Sequence, residues 1–112
     1  MESIRQQKVS RLLQKELGEL FRAESKTMFL GAFITVTVVR VSPDLGSAKV
    51  YLSVLQTADR AKILEHVKSQ LHAINRHIGP KLKSQLRVIP VLSFFIDDSL
   101  DYAMKIEELL KK

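Results

Sequence analysis

Cationic side chains at helical spacing are the feature of this chain that points most clearly to a chemistry. If residues from Ser3 to about Glu24 form a helix, four cations fall within an arc of roughly 60°, because successive residues turn by about 100°. These four are Lys8, Arg11, Lys15 and Arg22. Such a row can follow the phosphates of a nucleic acid and release its counterions. The alternative is a solvated face whose cations pair with neighbouring glutamates.

The overall charge also favours a polyanionic partner. The 112 residues carry 18 Lys and Arg against 12 Asp and Glu, which gives a net charge of +6 and a pI near 9.8. This balance favours nucleic acid and, less strongly, an acidic membrane surface. Further candidate cations in the second half include Lys81, Lys83 and Arg87. Because no run approaches the roughly 18 apolar residues of a membrane span and the start of the chain is polar, we expect no membrane partner and a cytoplasmic location.

The histidines do not have the spacing of a metal site. His66, His72 and His77 are six and five residues apart, whereas two metal ligands on one helix face stand three or four residues apart. The absence of Cys removes thiolate ligands and disulfides, as is typical of a reducing compartment. We therefore predict no metal or other cofactor.

An acidic cluster near the end of the chain is the remaining candidate for catalysis. Asp97, Asp98 and Asp101 could hold a divalent metal or transfer protons. Asp98 or Ser99 also fits the N-cap of a following helix, where a negative charge is stabilised by the helix dipole. Since the sequence has no nucleophile–base pair, P-loop or dinucleotide fingerprint, we predict that the chain is not an enzyme and has no small-molecule substrate.

Residues 34–55 predict an antiparallel hairpin. Two runs rich in β-branched residues flank the turn signal Ser42–Gly46. In this turn Pro43 fixes its own φ, Asp44 can bond to nearby backbone, and Gly46 can take a positive φ. Alternation in the second run puts one set of side chains on one face, namely Ala48, Val50, Leu52 and Val54. The other face then carries Lys49, Tyr51 and Ser53.

A helical pattern follows the hairpin. It begins at a cap supplied by Thr57 or Asp59 and runs to about residue 84. Pro80 lacks the N–H of a helical bond and disfavours helical geometry at Gly79, which predicts two helices or one kinked helix. Residues 25–32, before the hairpin, are predicted to be a loop.

The order of these elements predicts the fold. Arg87–Ile96 is a third strand, in which Pro90 indicates an edge position, a strand start or a bulge. A helix over residues 99–112 would end the chain and could pack at the periphery. The order α-β-β-α-α-β plus this C-terminal helix, with a three-stranded sheet covered by helices, indicates a monomeric α+β domain of the type II K-homology kind over residues 1–112. Largely buried positions are expected at Leu13, Leu17, Leu20, Val36, Val38, Val50, Leu52 and Val54.

The loop that clamps RNA in K-homology domains is missing. That loop has the pattern G-x-x-G between two helices. The glycines of this chain are Gly18, Gly31, Gly46 and Gly79, and no two are three residues apart. Trp is absent as well, so base stacking has little support. Shape and phosphate contacts to folded RNA suit the chain better than a single-strand clamp.

Three segments in order resemble the ribosome-binding factor A family. The opening helix, with Arg5, Val9 and Leu12 through Leu20, is similar to that of the family. The hairpin has V-S-P-D-L followed by A-K-V-Y-L-S-V-L. The third segment has L-R-V-I-P, L-S-F and D-D-S-L, which resembles the family pattern L-R-x-x-P-x-L-x-F-x-x-D-x-S-L. The resemblance covers most of the chain.

This resemblance implies an assembly factor that binds the free small ribosomal subunit, assists late maturation of its ribosomal RNA near the decoding region, and supports growth in the cold. It also implies that basic residues of the opening helix, Arg5 included, contact ribosomal RNA. The family usually replaces G-x-x-G by an Ala-x-Gly kink. This chain has Gln70–His72 or Ala73–Asn75 there, and Asn75, which tolerates left-handed backbone, could form the kink. The alternative function is a general RNA-binding module without preference for ribosomes.

Overall fold

A computed structural model describes residues 2–55 and 59–97 as a three-stranded sheet with helices packed on one face. The elements are α1 (Ile4–Ala23), α2 (Ser25–Met28), β1 (Phe33–Val41), β2 (Ser47–Leu55), α3 (Arg60–Ser69), α4 (Leu71–Lys83) and β3 (Val91–Ile96). In the sheet order β1-β2-β3, β1 and β2 are antiparallel and β2 and β3 are parallel. The predicted α-β-β-α-α-β order is confirmed, although one turn of helix, α2, occupies the predicted loop. The predicted C-terminal helix, residues 99–112, lies outside the described residues.

Helix α1 begins and packs as its sequence predicts. Ser3 and Gln6 form a capping box, in which Ser3 Oγ accepts from the Gln6 N–H at 3.2 Å and Gln6 Oε1 accepts from the Ser3 N–H at 2.7 Å. The apolar half of the helix lies on the sheet, where Leu13 and Phe21 are fully buried. Gln6 Nε2 also donates to the Val41 carbonyl at 2.8 Å, in a buried position. Apolar contacts and a buried hydrogen bond therefore fix α1 to β1.

A bulge in β1 reverses one predicted burial. The pairing register shifts between Val36 and Val38, so that Val38 lies opposite Tyr51 and Val39 lies opposite Val50. Because one extra residue moves the following side chains to the other face, Val38 joins the face of Tyr51 and is 36% exposed. The prediction that Val38 is buried is therefore wrong. The other predicted core positions are buried, namely Leu13, Leu17, Leu20, Val36, Val50, Leu52 and Val54.

The turn between β1 and β2 is held by Asp44, but its left-handed residue is Leu45. Asp44 Oδ1 accepts from the Ser42 hydroxyl at 2.6 Å and from the Gly46 N–H at 2.9 Å. The bond from Ser42, and after it the bond from Gly46, lower the pKa of Asp44 because they stabilise the carboxylate. Leu45 has a φ of 61°, and Gly46 does not have a positive φ, so the predicted conformation of Gly46 is wrong. The bonds around Asp44 hold Leu45 in this strained conformation.

The two helices after the hairpin separate at Gln70 and not at Pro80. Helix α3, capped by the Asp59 carboxylate on the Lys62 N–H at 3.0 Å, packs on β3. Helix α4 packs beside α1, so the chain has to change direction between them. Pro80 lies inside α4 on its exposed side, where water can satisfy the carbonyl that has no N–H partner. The predicted kink thus falls at Gln70, with a φ of −94°, and Asn75 does not form it because Asn75 lies within α4.

Strand β3 begins at Val91, directly after Pro90. Two of the alternatives that Pro90 indicated are therefore confirmed, because Pro90 stands at the strand start and β3 is an edge strand of the described sheet. The pairing of β3 with β2 shows no bulge, and the predicted strand Arg87–Ile96 was too long at its beginning. The Val91 N–H donates to the Gly46 carbonyl at 3.0 Å, a bond that the preceding proline could not make. Within β3, Phe94 is buried and completes the core.

Candidate nucleic-acid interface

The basic stripe of α1, defined as Lys8, Arg11, Lys15 and Arg22, is exposed along its whole length. It lies opposite the half of α1 that is buried on the sheet, as the helical period requires. Within residues 2–55 and 59–97, no carboxylate oxygen lies within 4.0 Å of a stripe nitrogen. In the described part of the chain, nearby glutamates therefore do not form ion pairs that would neutralise the stripe. Four such cations on one side of a fixed helix favour a polyanionic ligand.

Lys81 is the predicted cation from the second half of the chain that the fold brings to α1. Its Nζ lies 3.6 Å from Oε2 of Glu16, on the side of α1 that faces α4. The Glu16 side chain is 10% exposed and that of Lys81 is 60% exposed, so the ammonium stands at the surface above a nearly buried carboxylate. That oxygen accepts no hydrogen bond from the described residues. Lys81 is therefore partly neutralised and is less available to a phosphate than the stripe.

The other three predicted RNA-binding residues are exposed but lie away from the middle of the stripe. Arg5 is about 90° around α1 from the stripe, on the same side as Glu16. Lys83 is about 200° around α4 from Lys81, and Arg87 lies between α4 and β3. The eight predicted residues thus form a stripe of four, with Arg5 and Lys81 along one side of it and two cations elsewhere.

The helix-free face of the sheet carries a pair of cations that the sequence pattern did not predict as a site. Arg40 and Lys49 are exposed and directly opposite each other in the β1–β2 register. Like charges in such a pair repel each other, so an anion between them would be stabilised. Beside them, the rings of Tyr51 and Phe95 stack with centroids 5.4 Å apart. Strand alternation placed Lys49 on this face, but its pairing with Arg40 depends on the bulge.

The histidine and aspartate candidates do not converge on a site. His66 Nε2 bonds to the Met28 carbonyl at 2.8 Å, which connects α3 to α2. Of the acidic cluster only Asp97 is described, and its carboxylate accepts from the Thr37 hydroxyl at 2.5 Å; the rest lies outside the described residues. In the described part of the chain, no group of three or more His, Cys, Asp or Glu is arranged to hold a metal. None of the helices described there is long and apolar enough to cross a membrane.

The fold and this surface together define a class of protein. The described residues have a type II K-homology-like α+β fold in which a plain helix junction at Gln70 stands where the G-x-x-G clamp would be. The basic surface of the chain lies on α1 instead. A comparison of its sequence with known families then places it: the chain belongs to the ribosome-binding factor A family, whose sequence pattern matches residues 5–110.

Individual relatives agree with this membership. Ribosome-binding factor A of Cytophaga hutchinsonii is 43% identical over 112 residues, which are 100% of this chain and 84% of the relative. The crystal structure of ribosome-binding factor A from Thermus thermophilus matches with a TM-score of 0.67 at 19% identity, covering 81% of this chain and 94% of that chain. A homology model of the Thermus thermophilus factor, fitted into a cryo-EM map of its complex with the 30S subunit, matches with a TM-score of 0.61 at 22% identity, covering 80% and 91%. The structures confirm the predicted fold. The family is a non-enzymatic one, and membership of it confirms the prediction that the chain is not an enzyme.

Proposed function

We propose that this protein binds the free small ribosomal subunit in the cytoplasm and assists the late maturation of its ribosomal RNA, including in the cold. The basic stripe of α1 contacts phosphates of that RNA, and Arg5 and Lys81 extend the contact along one side. Lys83 and Arg87 make outer contacts. The observation that carries the proposal is the exposed stripe without a described carboxylate partner, in a family named for ribosome binding.

A protein that assists RNA maturation without catalysing a reaction must bind the conformations of that RNA with different affinities. A folded domain that binds one conformation of an immature RNA more tightly than another shifts their populations by the ratio of the two affinities. The stripe extends over about 21 Å of α1, at about 1.5 Å per residue, and is long enough to face several phosphates. Because α1 is capped and fixed to β1, its cations are presented together, so an RNA with matching phosphates is favoured.

Cosedimentation tests the proposal. Purified protein is centrifuged with free small subunits, with assembled ribosomes, and with an unrelated structured RNA, at one salt concentration and equal RNA mass. We expect the protein to cosediment with free small subunits and to be found in much smaller amount with assembled ribosomes. Equal binding to the unrelated RNA would instead favour a general RNA-binding module. Absence of binding to all three would contradict both functions.

A further inference from the structure

A groove of about 570 Å³ lies between the second half of α1 and the first half of β1. Its apolar walls include Phe21, Ile34 and Phe33, and two members of the basic stripe, Lys15 and Arg22, also line it. Its volume lies within the range of roughly 300–1,000 Å³ that is usual for ligand sites. An apolar groove beside two exposed cations is therefore present on the face that the proposed function uses.

Gly18 keeps this groove open. A β-carbon built at Gly18 would meet no atom within 4 Å, so the space beside the helix is free of neighbouring atoms at this point. Among residues other than proline, glycine is the least favourable in a helix interior. The helix thus carries a locally destabilising residue at the position where a larger side chain would enter the groove.

Phe33 supplies the aromatic surface. It is 64% exposed although it is one of the largest apolar side chains. Proteins bind unpaired nucleotides by stacking the base on an aromatic ring while cations hold the phosphates. We propose that the groove is a subsite for an unpaired nucleotide of ribosomal RNA, whose base enters against Phe33 and whose flanking phosphates lie on Lys15 and Arg22. This inference rests on the proposed function and adds a base contact to the phosphate contacts of the stripe.

The polar groups around the groove favour a nucleotide over an added peptide strand. β1 is an edge strand, and an extended peptide would bind through its free backbone groups. Two of its carbonyls are already bonded to side chains of α1, Val41 to Gln6 at 2.8 Å and Val36 to Gln14 at 3.2 Å. An incoming strand would meet an interrupted row of partners. Among the described residues lining the groove, Glu19 is the only acid, and a carboxylate can accept from the amino group of a base.

Filling the groove tests the inference while all four residues of the stripe are kept. In Gly18→Leu the new side chain occupies the groove, whereas the matched control Gly18→Ala gains similar helix propensity and adds only one methyl group. The probes are a single-stranded RNA of about 12 nucleotides, labelled with a fluorescent base, and the same sequence as a duplex. We expect Gly18→Leu to lose roughly 5- to 150-fold in affinity for the single strand, the usual effect of one base–aromatic stack. The affinity of both variants for the duplex should equal that of the wild type.

Each possible result of these experiments supports or overturns the nucleotide subsite. Unchanged affinity of Gly18→Leu for the single strand, or equal losses for single strand and duplex, would overturn the subsite. Phe33→Ser should reproduce the single-strand loss and Phe33→Trp should preserve binding; equal binding by both would also overturn it. A photoreactive group at position 33 should crosslink to RNA in small subunits, and a crosslink to a ribosomal protein alone would assign the groove to a peptide. In all these cases, duplex binding that still depends on salt would show that the phosphate contacts of the stripe remain. The result would then concern the subsite and not the proposed function.

Discussion

Neutralising the basic stripe should weaken RNA binding by an amount that the number of lost phosphate contacts determines. In the variant with Lys8, Arg11, Lys15 and Arg22 all changed to Gln, four charges are removed and the buried half of α1 is unchanged. Each phosphate contact contributes about 0.7–0.9 to the slope of log K against log salt concentration. Loss of four contacts should therefore reduce the magnitude of the slope by about 2.8–3.6. Between about 50 and 200 mM salt, the wild type should lose roughly 50- to 150-fold more affinity than the variant.

The assay is cosedimentation with free small subunits over a salt series, with circular dichroism to check the fold. The variant should remain folded, because an exposed charge change typically costs less than about 0.5 kcal/mol. A matched control removes the same charge from other exposed positions, by changing Lys26, Lys62, Lys68 and Arg76 to Gln. A folded stripe variant with the wild-type salt slope would refute the reasoning. A larger loss in the control would move the interface away from the stripe of α1.

Three further predictions concern stability. Gln6→Ala removes half of the capping box and leaves the buried Val41 carbonyl without its donor, so urea unfolding should show a loss of about 2–3 kcal/mol; exposed Gln7→Ala should show almost none. Val39→Thr should cost about 1–3 kcal/mol by the same measurement because it buries a hydroxyl, whereas Val38→Thr should cost less than about 0.5 kcal/mol; equal costs would contradict the bulge. The lowered pKa of Asp44 stabilises the folded state above the unfolded pKa of about 4, and this stabilisation is lost as the pH falls through the lower folded pKa. Thermal unfolding between pH 7 and pH 2 should therefore show a smaller acid-induced loss for Asp44→Asn than for the wild type.

Features that depend on neighbouring residues could be predicted from the sequence. The Ser3–Gln6 cap, the apolar half of α1 and its basic stripe all follow from a helical period that acts within one element. The buried face of β2 follows in the same way from strand alternation. The missing G-x-x-G pattern excluded a clamp without reference to a structure, and three short segments in order were sufficient to indicate the family.

Features that depend on how distant segments meet were decided only by the tertiary structure. The bulge turns Val38 outward because strand register is a property of two strands. The helices separate at Gln70 because α3 and α4 pack on different neighbours, and this requirement is stronger than the preference of Pro80 to end a helix. The ion pair of Glu16 with Lys81, and the groove beside Gly18, exist only because α4 and β1 lie next to α1. Sequence periodicity identifies the face that an element buries, but the partner of that face, and the spaces left between elements, are set by the free energy of contacts that several elements share.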